Sequence, residues 1–170
     1  INYPCAARID SGGLVWNPFV KQERKSGCRL ENHFCKDVFL LKVFPGISPD
    51  IFSCLEKMGI RGVYVEGFGI GGIPSVRRNL ADAIGRAVEG GMMVAVGSQC
   101  LYEGSDFSVY EVGRRVLSHG VIETGSMTSE AAVTKLMWAL GKYDSPDRVR
   151  RAMTENLAGE LGSIYNWLES

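Results

Sequence analysis

The chain has 170 residues, 45% hydrophobic and 22% charged, with 19 basic side chains balanced by 19 acidic ones. That length suits one core-forming domain with an arm, and a formal net charge of zero leaves no global field to recruit nucleic acid or an anionic membrane. No apolar run approaches the ~20 residues of a bilayer-crossing helix, and no secretory signal is present.

Residues 1–36 differ in texture from the rest of the chain. "SGG" at 11–13 and "KQERKSG" at 21–27 are turn-rich and charged, which predicts an extended arm with a hairpin around Gly12-Gly13. "CRLENHFC" sets His33 between Cys28 and Cys35, but the spacing matches no zinc site, and no metal is expected. The cysteines, Cys5, Cys28, Cys35, Cys54 and Cys100, are odd in number and include no CxxC pair, so they read as the reduced cysteines of a cytosolic protein. The chain begins at Ile1 rather than Met, which is expected of a fragment or a processed product.

From residue 37 a rhythm of strands and helices sets in. "VFLLKVFP" (38–45) reads as a strand. Ser48 is expected to cap a helix with Pro49 at its first position, with Ile51, Cys54, Leu55 and Met58 on one face and Gly59 as its stop. "GVYVEGF" (62–68) is the second strand. Ser75 then predicts a helix whose Val76, Leu80, Ile84 and Val88 recur every fourth residue up to Gly90-Gly91. "MMVAVGS" (92–98) is a third strand of the kind buried on both faces. A helix within 106–119, ending near His119, leads to the short strand "GVIET" (120–124). Thr128 opens a helix stopped by Gly141. Ser145-Pro146 opens the last, with Val149, Met153, Leu157 and Leu161 in line. The local basic spots Arg77-Arg78, Arg114-Arg115 and Arg148 to Arg151 read as solvated helix faces.

Alternation of this kind predicts α/β architecture, parallel βαβ units in a helix-covered sheet. Ligands then belong beyond the carboxyl ends of the strands, here Pro45-Gly46, Glu66 to Gly72, Gly97 to Cys100, and Glu123 to Gly125. The second of these spells G-x-G-x-x-G with Gly67, Gly69 and Gly72. A dinucleotide fingerprint needs a helix beginning inside the motif and an acid after the next strand. Pro74-Ser75 delays the helix, and the next strand ends in Gly97-Ser98-Gln99-Cys100, so NAD is not expected. The loop reads instead as a strand-to-helix turn with backbone N–H groups open to a ligand or a neighbouring subunit. "SQCLYEGSDFSVYEVGRR" (98–115) concentrates Tyr102, Glu103, Asp106, Tyr110 and Glu111 after a buried strand, a candidate functional edge. Cys100 has no obvious histidine partner in His33 or His119 and reads as a small residue ending a strand.

The stretches "GVYVEGFGIGGIP", "SQCLYEGSDFSVYEVGRR", "GVIETGSMTSEAAVTKLMWALG" and "NLAGE", with "INYP" at the start, together resemble the C-terminal domain of bacterial-type L-asparaginases of the type I, cytoplasmic branch. The resemblance implies a three-layer α/β/α domain with a small, roughly four-stranded parallel sheet of Rossmann-like character over 37–170, preceded by an interdomain arm over 1–36. It implies a homo-oligomer that hydrolyses L-asparagine to L-aspartate and ammonia without cofactor. A threonine nucleophile and a Thr-Asp-Lys group would lie in an N-terminal catalytic domain whose TGGTI-like and T-D motifs do not occur in these residues. This chain alone is therefore expected to be inactive and, with surfaces uncovered, to self-associate. On the same footing the domain completes a neighbouring subunit's site. Gly72 stands where the family commonly has asparagine, Tyr110 offers a polar contact, and Glu111 would pair with the substrate's α-amino group. A candidate effector site falls on Glu66, Ser98 and Cys100, although Glu66 stands where an effector-binding enzyme has arginine. Alternatives are the same domain in a tRNA-dependent glutamine amidotransferase subunit and a stand-alone amino-acid-binding regulatory module.

Overall fold

The structure is a computed structural model that describes residues 6–17, 27, 29–100 and 103–161. The "INYP" start, Cys5, Cys28 and Tyr102 lie outside the described residues. The elements in order are β1 (Ala7–Asp10), β2 (Gly13–Trp16), β3 (Val38–Lys42), α1 (Ile51–Lys57), β4 (Gly62–Gly67), α2 (Leu80–Glu89), β5 (Met93–Ser98), α3 (Glu111–Ser118), β6 (Ile122–Glu123), α4 (Ser129–Lys142) and α5 (Pro146–Thr154).

β3, β4, β5 and β6 form a four-stranded sheet in that order, each neighbouring pair parallel. Side chains alternate across it, as a strand period of two requires. Val63, Val65, Val94 and Val96 enter a core shared with Phe52 and Leu55 of α1, Leu80 and Ile84 of α2, and Val116 of α3. Tyr64, Met93, Ala95 and Ile122 point the other way, into a second core with Leu136 and Leu140 of α4 and Val149 and Met153 of α5. Three layers result: α1, α2 and α3, then the sheet, then α4 and α5. Burial on both faces explains why β4 and β5 read as continuous apolar runs.

Close approach between layers depends on small residues. A Cβ at Gly62 would stand 2.6 Å from Leu140 Cδ1, and one at Gly97 would stand 2.1 Å from Tyr64 Oη, so α4 and the Tyr64 ring lie directly over glycine backbone. Ahead of the sheet, β1 and β2 form the antiparallel hairpin expected around Gly12-Gly13, with Gly13 at φ 112°.

Several local expectations are corrected. α2 starts at Leu80, where the Asn79 side chain accepts the Asp82 N–H at 3.1 Å; Ser75 does not cap it, Val76 is 83% exposed, and Arg77 takes a left-handed φ of 61°. Asn79 wins because its carbonyl reaches N3, whereas the Arg77 conformation breaks any helix begun at Ser75. In α1 the N-cap is Asp50 and the buried face is Phe52 and Leu55, with Cys54 and Met58 exposed. Gly141 lies inside α4 rather than ending it; there a Cβ would stand 2.4 Å from the His33 carbonyl oxygen, so glycine admits the His33 backbone. α5 ends at Thr154, leaving Leu157 exposed outside the predicted helical line. The strand expected over 120–124 contracts to Ile122–Glu123.

Candidate functional site

The carboxyl ends of the four parallel strands and the loops that leave them form one edge of the sheet. The glycine loop after β4 is a closed turn. Phe68 N–H donates to Gly72 O at 2.8 Å, and Gly71 and Gly72 donate to Phe68 O at 3.1 and 2.7 Å. These three N–H groups are therefore used inside the turn, so Phe68, Gly71 and Gly72 do not offer the open backbone expected of the loop. The glycines serve packing instead. A Cβ at Gly71 would stand 3.0 Å from Phe107 Cα, and one at Gly72 would stand 3.1 Å from Phe68 Cβ. The helix that would receive a pyrophosphate begins only at Leu80, in keeping with the loop's failure as a dinucleotide fingerprint.

The segment after β5 clamps this turn. Ser98 Oγ donates to Gly69 O at 2.6 Å and accepts the Cys100 N–H at 2.8 Å, while Gln99 Nε2 donates to Val43 O at 2.6 Å and Glu66 O at 3.0 Å. One side-chain amide thus ties the ends of β3 and β4 together. Of the three residues considered for an effector, Ser98 is engaged in this clamp and Cys100 is a half-buried free thiol. Glu66 is buried at the end of β4 with Lys42 Nζ 3.1 Å from its Oε2. That contact is electrostatic, since among the described residues no donor meets Oε2 in hydrogen-bond geometry.

The acid-bearing segment crosses the same edge. Ser105, Asp106 and Phe107 donate successive backbone N–H groups to Gly125 O, Ile70 O and Glu123 Oε1, at 2.8, 2.6 and 2.8 Å. Phe107 is fully buried. Asp106 Oδ1 accepts from Ser108 N and Oγ, and Arg114 donates to Ser108 O. Tyr110 is the N-cap of α3 and Glu111 its first residue, with both side chains exposed. The structure thus joins the glycine loop that holds Gly72 to the 105–107 segment, and presents Tyr110 and Glu111 to solvent just beyond it.

Sequence reasoning misses two residues of this edge. Gln99 stands out in the sequence only as part of a motif, and Glu123 only as a strand end. Burial pushes the Glu123 carboxyl above its usual range, and the nearby Asp106 adds to this, against the opposing hydrogen bonds from Phe107 and Ser105. The signal available was a lone acid at the carboxyl end of an otherwise apolar strand. Behind the edge, Tyr64 has its phenol raised by burial, next to Thr124 and Ser129. Among the described residues no group of three His, Cys, Asp or Glu side chains is placed to hold a metal, and no helix is long and apolar enough to cross a membrane.

The architecture is that of a three-layer α/β/α domain with its loops of interest gathered at the carboxyl edge of a parallel sheet. Residues 37–153 match the family model described as the Glutaminase/Asparaginase C-terminal domain. The chain belongs to that family. It is 42% identical over 143 residues to a Glutamyl-tRNA(Gln) amidotransferase subunit of Metallosphaera sedula, covering 84% of this chain and 32% of that protein. An L-asparaginase of Thermococcus kodakarensis is 41% identical over 125 residues, covering 74% of this chain and 38% of the relative. Among solved structures, the thermostable L-asparaginase from Thermococcus kodakarensis superposes with a TM-score of 0.82 at 34% identity, over 96% of this chain and 49% of that one. The chain therefore spans about a third of the length of these curated relatives.

Proposed function

We propose that this chain is the C-terminal domain of a type I, cytoplasmic L-asparaginase, with residues 1–36 as the arm that leads into it. The observation that supports this reading is the construction of the carboxyl edge: the glycine loop and the acid-bearing 105–111 segment are bonded into one surface within the family fold. In the intact enzyme a threonine of the N-terminal catalytic domain attacks the side-chain amide carbon of L-asparagine. Ammonia leaves, and water then cleaves the acyl-threonine ester to give L-aspartate. The domain's part is binding. Glu111 pairs with the substrate's α-amino group, Tyr110 supplies a polar contact, and the loop that holds Gly72 completes the surface beside them in the site of a neighbouring subunit of a homo-oligomer. No cofactor enters this scheme. We read Glu66, Ser98 and Cys100 as a brace of the glycine loop, because the Glu66 carboxylate opposes the carboxylate of an amino-acid effector.

A second reading rests on the similarity to the Glutamyl-tRNA(Gln) amidotransferase relatives. There the same domain would serve glutamine hydrolysis, with ammonia passed to a charged tRNA through a partner subunit. Ammonia release from L-asparagine and L-glutamine, measured on the intact protein and on these 170 residues, separates the readings. The expected result is activity on asparagine in the intact protein and none in the domain alone. Activity in the domain alone would relocate the chemistry, and glutamine hydrolysis that needs charged tRNA would favour the amidotransferase. Silence of both preparations would remove the asparaginase assignment, and binding of a free amino acid by the domain alone would then favour a regulatory module.

A further inference from the structure

We propose that Glu123 is a positioning residue that fixes the 105–111 segment against the glycine loop, and so sets where Tyr110 and Glu111 are presented. The inference rests on the reading above for its functional consequence and on geometry for the rest. Ser105, Asp106 and Phe107 have their N–H groups taken in turn by Gly125 O, Ile70 O and Glu123 Oε1. Two of these acceptors are backbone carbonyls, which no substitution removes. The third is a side chain, so this hold on the segment is encoded by one residue.

Position and packing make that hold consequential. Glu123 ends a two-residue strand, and its neighbour Ile122 is committed to the core beneath α4 and α5. Alternation therefore turns Glu123 to the opposite face, toward the loop. Phe107 is wholly buried, with its ring and backbone against Gly67, Gly71 and Gly113, so it cannot slide without disturbing both the glycine loop and α3. Its N–H, closed off from water at that depth, needs an acceptor, and the Glu123 carboxylate at 2.8 Å is the one supplied. Ser105 Oγ adds a contact to Gly125 O at 3.3 Å on the same side. Downstream of Phe107, the Asp106–Ser108 turn and the Arg114–Ser108 bond carry the chain without a break into α3. Glu123 touches the Phe107 backbone and the Ser105 side chain in this arrangement. Its action on a substrate is through the loop.

The test uses the intact protein with Glu123→Leu, which removes the acceptor, and Glu123→Gln, which keeps it. Glu123→Thr, too short to reach Phe107 N–H yet polar, replaces the leucine variant if that one does not fold. Amide hydrogen exchange is read over 103–111 and over β4 and β5. Loss of the acceptor is expected to speed exchange at 103–111 by about tenfold, with β4 and β5 unchanged, and Gln to stay near wild type. In steady-state kinetics with L-asparagine, Glu123→Leu is expected to raise KM by about tenfold with kcat within about threefold, and Gln to restore both. Unchanged exchange at 103–111 overturns the proposal, as does a faster-exchanging loop with unchanged KM, or a Gln variant as impaired as Leu. Should wild type release no ammonia from either amide, the functional reading fails, and exchange alone decides whether Glu123 fixes the segment.

Discussion

Lys135 Nζ lies 2.5 Å from Glu160 Oε1, and the two side chains are only 6% and 13% exposed. The same ammonium donates to Met153 O at 3.2 Å and Glu155 O at 2.5 Å, so all three of its donors are used. Glu160 in turn accepts the backbone N–H groups of Leu157 and Ala158, and Asn156 closes the turn through Gly159 N and Leu161 O. The "NLAGE" motif is thus a folded turn locked to α4 by one buried lysine. Replacing Lys135 with Met strands a buried carboxylate and two carbonyls, and is expected to cost about 3–5 kcal/mol in urea unfolding. A cost below about 1 kcal/mol would show that the lock contributes little.

The same pair gives acid sensitivity a sign. Burial pushes the Glu160 carboxyl up, but the Lys135 hydrogen bond and the backbone N–H groups outweigh it and hold the group at about 2, below the usual 4.5. A pKa depressed in the folded state stabilises the fold above the unfolded value and loses that contribution as pH falls toward the folded one. Unfolding free energy is therefore expected to decline between about pH 5 and pH 2. Glu160→Gln should lower stability at pH 7 and flatten part of that decline. An unaltered acid slope in the variant would place the sensitivity elsewhere.

Gly113→Ala tests a contact whose sign is unusual. In a helix interior alanine normally exceeds glycine by about 1 kcal/mol. Here a Cβ would stand 2.0 Å from the Phe107 carbonyl oxygen, which belongs to the backbone of a fully buried residue. Destabilisation by about 2 kcal/mol is expected, with loosened exchange over 103–111. A stabilised variant would contradict the described packing of α3 on the loop.

How much of the fold and site is legible in the sequence depends on the range of each interaction. β4 and β5 are legible because burial on both faces leaves unbroken apolar runs, and α4 because Thr128 opens it and its Ala131 N–H is accepted by that side chain at 3.3 Å. The start of α2 is not, since Ser75 and Asn79 are equally good caps and only the left-handed Arg77 between them decides. Gly141 looks like a stop signal because its partner, the His33 carbonyl, lies far away in sequence. At the site, the glycines announce the loop, but their purpose, room for Phe107 and for Phe68, depends on contacts that spacing does not encode. Glu123 is hidden for the same reason.

The α2 cap offers a direct comparison. Asn79→Ala removes the acceptor of Asp82 N–H and is expected to cost about 1 kcal/mol. Ser75→Ala is expected to stay within about 0.5 kcal/mol, as befits a residue outside the helix. Thermal or urea unfolding of the two variants side by side decides it, and a reversed order would move the helix start back to Ser75.

The hairpin carries the last prediction. Its register sets Ala7 opposite Trp16 and Ile9 opposite Leu14, so these four share one face, while Arg8, Asp10 and Val15 take the other. Ile9 is 81% exposed, Trp16 65% and Leu14 53%, and Arg8 pairs with Asp10 on the polar face. A two-stranded ribbon with one bare apolar face is marginal by itself. In a solution of this chain alone, the cover at hand is the same face of a second copy. Self-association that rises with concentration is therefore expected in sedimentation velocity, and the double variant Ile9→Lys, Leu14→Lys should shift it toward monomer, because association would then bury two ammonium groups. Trp16 provides an independent readout, because burial in the dimer should shift its emission to shorter wavelength, and the variant should abolish that shift. A wild-type chain that stays monomeric at high concentration, or a lysine variant that associates as strongly, would mean the apolar face is not what brings copies together.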